Sequence, residues 1–79
     1  MISKKKFNTI GELQKVQYLA TQCPSDVGLH SEDGEIIVDA KSYIGMYALD
    51  FNSPILVVSE DEAFHKRIAG IGENLPLED

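Results

Sequence analysis

The sequence predicts an α+β fold in which helices pack on one face of a four-stranded antiparallel sheet. Apolar runs and capped amphipathic segments alternate in the order strand, helix, strand, strand, helix, strand, helix. Each strand pattern offers one apolar face and each long helix one apolar stripe, so packing stripe against face hides both from water. A split βαβ ferredoxin-like fold is the alternative, and the short extra helix predicted at 43–49 counts against it.

Composition indicates one small globular domain. The chain has 79 residues, of which 43% are hydrophobic and 25% charged, and its net charge is −6. Because affinity for nucleic acids and anionic membranes comes from basic side chains, the acidic balance argues against both partners. Cys23 is the only cysteine, which excludes an internal disulfide, and no window is long and apolar enough for a membrane span. We therefore expect a cytoplasmic protein.

The first two elements are a lysine-rich strand and a capped helix. Residues 2–8 carry three consecutive lysines, which fit either a solvated edge strand or a basic arm, and we expect an edge or second-position strand. Thr9 and Glu12 form a capping box that opens a helix over about 10–22, and Pro24 stops it. Its buried stripe is expected to comprise Leu13, Val16, Ala20 and Cys23, with Cys23 as a core residue rather than a reactive thiol.

A hairpin and a short helix follow. Residues 26–32 and 35–40 predict two strands joined at Asp33-Gly34, a strong turn signal. Because 36–38 are apolar at successive positions, we expect the second of these strands to be central in the sheet. Ser42 then caps a short helix at 43–49, its hydroxyl accepting a hydrogen bond from the N–H of Ile44 or Gly45.

The last elements are a strand at 53–58, with Pro54 at its start, and a helix. Ser59 and Glu62 form a second capping box that opens this helix, and Gly70 ends it. His65 within it is predicted to be solvated. The domain is expected to span 1–70, and the acidic segment 71–79 is expected to be a loosely ordered tail.

Ser42 is the sharpest functional clue. A serine before a helix usually serves as a cap and nothing more. The alternative is a regulatory serine, because converging N–H groups and the positive end of a helix dipole would favour a phosphate there.

The surrounding residues carry a family resemblance. Lys41-Ser42-Tyr43-Ile44-Gly45-Met46, followed by Ala48-Leu49, resembles the segment around the regulatory serine of HPr, the histidine-containing phosphocarrier of the bacterial sugar phosphotransferase system. The segment 33–40 looks like that family's second hairpin, and 59–63 is similar to the acidic start of its last helix. The resemblance covers about 3–70 and is specific over 33–49. It implies an HPr-like open-faced sandwich with Ser42 at the regulatory position.

The active-site signature of that family, Gly-(Leu or Ile)-His-x-Arg-Pro-Ala, is missing from its expected place. Gly28-Leu29-His30 copies its first three letters, but Ser31-Glu32-Asp33 follows, where acidic groups would repel a phosphoryl dianion. His30 also precedes a hairpin rather than the first helix. The matching position at the start of that helix holds Gly11 and Glu12, which cannot accept and pass on a phosphoryl group.

The sequence therefore predicts an HPr-related protein without phosphocarrier activity, acting as a regulatory or docking module centred on Ser42. It is not expected to be an enzyme or to bind a cofactor or metal. The resemblance implies other proteins as partners, a serine kinase or a transcriptional regulator. Two alternatives stay open: an active phosphocarrier that uses His30, and a small HPr-fold protein with an unrelated partner. The predicted docking patch comprises Ile44, Met46, Tyr47 and Leu49.

Overall fold

The computed structural model describes residues 1–77, which form five strands, two α-helices and one 3-10 turn. The chain order is β1 (Ile2–Lys6), α1 (Ile10–Thr21), β2 (Gly28–Ser31), β3 (Ile37–Asp39), the 3-10 turn (Gly45–Ala48), β4 (Ile55–Val58), α2 (Glu62–Ile68) and β5 (Glu73–Leu75).

The strands form one antiparallel sheet in the order β3-β2-β4-β1-β5. Alternate residues of β4 separate its two faces: Ile55 and Val57 are buried, whereas Leu56 and Val58 are only partly covered. The α+β class with helices and an antiparallel sheet is thus confirmed, and the arrangement is compatible with an open-faced sandwich.

A single apolar cluster joins the helices to the sheet. From α1 it includes Leu13, Val16 and Ala20, which confirms the predicted helical stripe. The other buried members come from the strands, α2 and the connections: Phe7, Cys23, Val27, Leu29, Ala40, Met46, Leu49, Ile55, Val57, Phe64 and Ile68. Cys23 is 7% exposed and belongs to this core, as predicted.

The prediction of a four-stranded sheet was wrong, because the described residues contain a fifth strand. β5 lies in the segment expected to be a loose tail and pairs with β1, Lys4 opposite Leu75 and Lys6 opposite Glu73. Gly72, with φ of 71°, turns the chain back toward the sheet. The last two positions of the predicted tail, 78 and 79, lie outside the described residues.

The buried Lys5 holds this fifth strand in place. Its side chain is 1% exposed, and its ammonium donates to the Ile71 carbonyl at 2.8 Å and to Asn74 Oδ1 at 2.5 Å. Burial lowers the pKa of Lys5 below its ordinary value of 10.5, and the charge of Glu12 acts in the opposite direction. A lysine expected to be a solvated strand residue is therefore an internal support of the sheet.

Two further predictions about placement differ from the structure. β3 lies at the end of the sheet rather than in its centre. Its apolar run is not covered on both faces, since Ile36 and Ile37 are exposed. β1 lies second from the other end, within the range predicted. The helix expected at 43–49 is only a 3-10 turn, Gly45–Ala48.

The helix starts are partly as predicted. Thr9 caps α1, accepting from the Glu12 N–H at 3.2 Å. For α2, however, Asp61 is the cap, accepting from the Phe64 N–H at 3.1 Å, while the buried Ser59 instead accepts from the Asp61 N–H at 3.1 Å. The second helix cap therefore lies two residues later than its sequence pattern suggests.

Alanine substitutions at three glycines test the turn into β5. Gly72 has a positive φ, and a Cβ added to it would lie 2.9 Å from both the Lys6 carbonyl oxygen and Phe7 Cδ1. We expect Gly72→Ala to lower the free energy of unfolding by about 2 kcal/mol or more. Gly34 has a φ of 77° and open space, so Gly34→Ala should cost only about 1 kcal/mol.

Gly70→Ala is the matched control, since Gly70 has neither a positive φ nor a described atom within 4 Å of an added Cβ. Urea unfolding of the three variants provides the measurement. Equal stability of the Gly72 and Gly70 variants would contradict the described turn.

Candidate functional site

The segment around Ser42 is an exposed turn closed by the serine itself. The Ser42 hydroxyl accepts from the Gly45 N–H at 3.2 Å, one of the two predicted donors, and its own N–H donates to the Asp39 carbonyl at 2.9 Å. The predicted hydrogen bond from Gly45 is thus confirmed, although the cap position of the 3-10 turn itself is Ile44, which makes no side-chain hydrogen bond. The helix behind it is a single 3-10 turn, so its dipole is too small to give a phosphate the stabilisation expected from a longer helix.

Exposed apolar and aromatic side chains flank Ser42. Ile44 is 82% exposed, and the rings of Tyr43 and Tyr47 pack edge to face with centroids 5.9 Å apart. The amide of Gln14 on α1 donates to the Tyr47 hydroxyl at 3.1 Å. The Tyr47 side chain raises the pKa of Tyr43, chiefly through a hydrogen bond. Tyr43, Ile44 and Tyr47 together are called the Tyr43–Tyr47 patch below.

Two residues of the predicted docking patch do not lie on this surface. Met46 is completely buried and Leu49 is 7% exposed, and both belong to the core cluster. The spacing of a 3-10 turn explains the division, because roughly three residues per turn place 46 and 49 on one side. Of the predicted set, Ile44 and Tyr47 are accessible, and Tyr43 joins them.

Gly11 and Glu12, the positions matched to the lost active site, lie at the start of α1. The Glu12 carboxylate accepts from the Asn8 N–H at 2.7 Å and from the Gly72 N–H at 3.2 Å. The Asn8 hydrogen bond is the main reason why the pKa of Glu12 lies below its ordinary value of 4.5. The carboxylate thus satisfies one amide before α1 and one before β5, while the Glu12 N–H in the first turn donates to the Thr9 hydroxyl.

His30 lies half-buried on β2. Its ring lies against Gly28, where an added Cβ would come within 3.1 Å of Nε2. The ring lines a surface cavity of about 560 Å³ together with Asp26 and Glu60, and no lysine or arginine of the described chain lines that cavity. These carboxylates oppose the approach of a phosphoryl dianion.

The structure also brings together a serine and a histidine that the sequence did not connect. The Ser3 hydroxyl lies 2.6 Å from His65 Nδ1, and His65 Nε2 lies 2.9 Å from the Ser59 carbonyl oxygen. His65 is 5% exposed, so the prediction of a solvated residue was wrong. The two side chains are 62 positions apart, and no local pattern reveals the pair.

The geometry assigns the tautomer of His65. A carbonyl oxygen only accepts, so Nε2 carries the proton and donates to Ser59. Nδ1 is then the acceptor for the Ser3 hydroxyl. A serine and an oriented imidazole are two parts of a nucleophilic site, but the cavity beside Ser59 is lined by neither Ser3 nor His65. The pair ties β1 to α2, and we assign it that structural role.

The cysteine and the carboxylates do not assemble into a metal site. Cys23 Sγ donates to Asp61 Oδ2 at 3.2 Å, and this hydrogen bond is the main cause of the lowered pKa of Asp61. Residues 1–77 contain no group of three or more metal-ligating side chains placed to hold an ion. Neither helix in that range has the length and apolar character required to cross a bilayer.

Comparison with known proteins yields no relatives. No protein-family model matches the chain, and no curated protein or solved structure is significantly similar to it.

The Glu12 contacts predict a pH dependence. Because the folded-state pKa is lowered, Glu12 stabilises the fold above its unfolded pKa of about 4.5, and this contribution is lost as pH falls through the lower folded pKa. We expect Glu12→Gln to be less stable than the native chain at pH about 7 and the difference to shrink below pH about 4. Urea unfolding across this range measures it.

Glu60→Gln is the control for that experiment, since it removes the same charge from an exposed position. If the stability difference between the native chain and the Glu12→Gln variant stays constant with pH, the carboxylate charge makes no differential contribution and the prediction is wrong.

The Ser3–His65–Ser59 contacts predict which nitrogen of His65 is protonated. Nitrogen NMR of the imidazoles at neutral pH should show His65 as the Nε2–H tautomer, and Ser3→Ala should leave that proton on Nε2, because the Ser59 carbonyl fixes it. His30, which has no such pair of contacts in the described residues, is the internal comparison. A His65 ring protonated on Nδ1 alone would contradict the assigned hydrogen bonds.

Proposed function

We propose that this protein is a cytoplasmic HPr-related module that has no phosphocarrier activity and docks to another protein through the Tyr43–Tyr47 patch, with Ser42 as the residue that regulates docking. The observation that carries the proposal is the exposure of Ile44, 82%, on a turn that is otherwise anchored in the core. Together with Tyr43 and Tyr47, which are 55% and 52% exposed, Ile44 forms a contiguous apolar and aromatic patch of the kind found at contact surfaces.

The anchoring of the turn supports a role in recognition. Met46 and Leu49 are buried beneath it, and Gln14 fixes the Tyr47 hydroxyl from the neighbouring helix. A partner would therefore meet side chains whose positions are already restricted, which lowers the entropy lost on binding. Tyrosine is also among the residue types enriched at protein interfaces because it combines a large apolar ring with a hydroxyl.

Ser42 is placed to change this surface if it is modified. The residue is exposed and adjoins Tyr43, so a phosphate there would bring about two negative charges to the edge of the patch. The modification would break the Gly45 cap in its present form and offer new acceptors to a basic partner. Phosphorylation is thus expected to alter which protein binds rather than to alter the fold.

The loss of carrier activity follows from the start of α1. A phosphocarrier needs a nucleophilic ring at which the phosphoryl group is held by donors. Glu12 offers a carboxylate that is already bound to two N–H groups, and His30 stands beside acidic side chains on the sheet.

Incubation with an HPr-type serine kinase and ATP tests the role of Ser42. We expect one phosphate per chain by intact mass, abolished by Ser42→Ala, because Ser42 is exposed in a segment that resembles the regulatory one. Ser53→Ala is the matched control, since Ser53 is also exposed in a turn and should leave phosphorylation intact. No added mass, or addition at Ser53, would overturn the regulatory assignment.

Exposure to phosphoenolpyruvate and the general phosphotransferase tests the missing carrier activity. We expect no acid-labile, alkali-stable phosphate on the native chain. Such a phosphate, lost in His30→Ala, would instead establish the alternative of an active carrier. If both phosphorylation experiments give no product while the Tyr43–Tyr47 patch still binds a protein, the remaining alternative of an unrelated partner is favoured.

A further inference from the structure

We propose that the outer edge of β3 accepts an extended, basic segment of a partner protein as an additional strand of the sheet. The inference rests on the proposed docking function and specifies the kind of partner. It concerns backbone groups that lie beside the Tyr43–Tyr47 patch but do not belong to it.

The hydrogen-bond pattern of the hairpin identifies the free backbone groups. Within residues 1–77, β3 pairs with β2 and has no strand on its other side. Ser31 N–H donates to the Ile36 carbonyl at 2.8 Å, and Ala40 N–H donates to the Val27 carbonyl at 2.8 Å. Bonded and non-bonded pairs alternate in an antiparallel ladder, so the N–H and C=O groups of Ile37 and Asp39 face away from β2. The Asp39 C=O already accepts from the Ser42 N–H at 2.9 Å, which leaves the two Ile37 groups and the Asp39 N–H for an added strand.

The charged residues in the segment that borders this edge, 33–40, are all acidic. Natural edge strands are often protected by lysine or proline, and the segment 33–40 contains neither. Ile36 is 38% exposed and Ile37 is 63% exposed. An incoming strand would find both backbone hydrogen bonds and apolar side chains, the two sources of affinity and selectivity in strand addition.

The 3-10 turn lies alongside the same edge on the helix side of the sheet. A Cβ placed on Gly45 would be 3.6 Å from the Cβ of Val38, so the turn is packed against β3. Successive side chains of an added strand point to opposite faces. One set would therefore come next to the turn that carries Ile44, and the other next to Ile37 on the open face.

Charge indicates what the added segment contains. Asp33, Glu35 and Asp39 flank the edge at its two ends. The nearest basic side chain in the sequence, Lys41, directs its ammonium to the Cys23 carbonyl at 2.9 Å. A segment in which lysine or arginine alternates with apolar residues complements this edge. A second copy of the chain brings the same acidic residues and a net charge of −6, which disfavours self-pairing.

The test uses the full chain labelled with nitrogen-15 and an acetylated heptapeptide, Lys-Val-Lys-Val-Lys-Val-Lys, as the probe. We expect saturable amide shifts along β3 and slower hydrogen exchange at the Ile37 and Asp39 amides. A peptide of the same sequence methylated on its internal amide nitrogens should bind at least about tenfold more weakly, because it cannot form the ladder. A peptide with glutamate in place of lysine should also bind more weakly.

Ile37→Lys and Ile2→Lys form a matched pair of variants, since both replace an exposed isoleucine on a strand. Ile37→Lys should weaken binding of the basic peptide, and Ile2→Lys should not. Equal binding of the methylated peptide, or no binding of the probe, would overturn strand addition.

Two other outcomes separate this inference from the proposed function. Shifts confined to Tyr43, Ile44 and Tyr47 would overturn strand addition and leave docking through the patch intact. Protection of the Ile37 and Asp39 amides without peptide, together with a dimer in sedimentation, would identify a second copy as the occupant and overturn the basic partner.

Discussion

The carboxylate of Glu12 is the contact on which the rest of the arrangement depends. It binds the Asn8 N–H before α1 and the Gly72 N–H before β5, and so joins the start of the first helix to a connection 60 residues further along the chain. The buried Lys5 lies close enough for the charges to interact, and its ammonium holds the Ile71 carbonyl in the same connection. One acid and one base thus fix the fifth strand, whose described residues are absent from the buried core cluster.

The same contact bears on the proposed function. The start of a helix is a natural place for an anion because its first N–H groups lack partners within the helix. In this chain the Glu12 carboxylate of the first turn is held by the Asn8 and Gly72 N–H groups, and the Thr9 hydroxyl accepts from the Glu12 N–H. What stays accessible is the turn after the hairpin, where Ser42 and Ile44 are exposed over a buried Met46. This exposed turn is the surface to which we assign the proposed docking role.

The parts of the fold that depend on local pattern were predictable from the sequence. Thr9 and the α1 stripe could be identified because a cap and a helical repeat act over a few residues, and Ser42 was predictable as a cap for the same reason. β5 was missed because its supports, Lys5 and Glu12, lie at the opposite end of the chain. The only local indication of β5 in the sequence was Gly72, just before the strand. The contact between Ser3 and His65 could not be predicted either, because the sequence does not show that two residues 62 positions apart lie close together.

The most direct test of the central claim is a titration of the nitrogen-15-labelled chain with inorganic phosphate at neutral pH, following the amides from Asn8 to Leu13 and the amide of Gly72. We expect these amides to show no saturable shift in the native chain, because the Glu12 carboxylate already binds the Asn8 and Gly72 N–H groups. A saturable shift centred on the Asn8 and Gly72 amides would show that phosphate displaces the carboxylate, and it would contradict the assignment of this position as closed to anions.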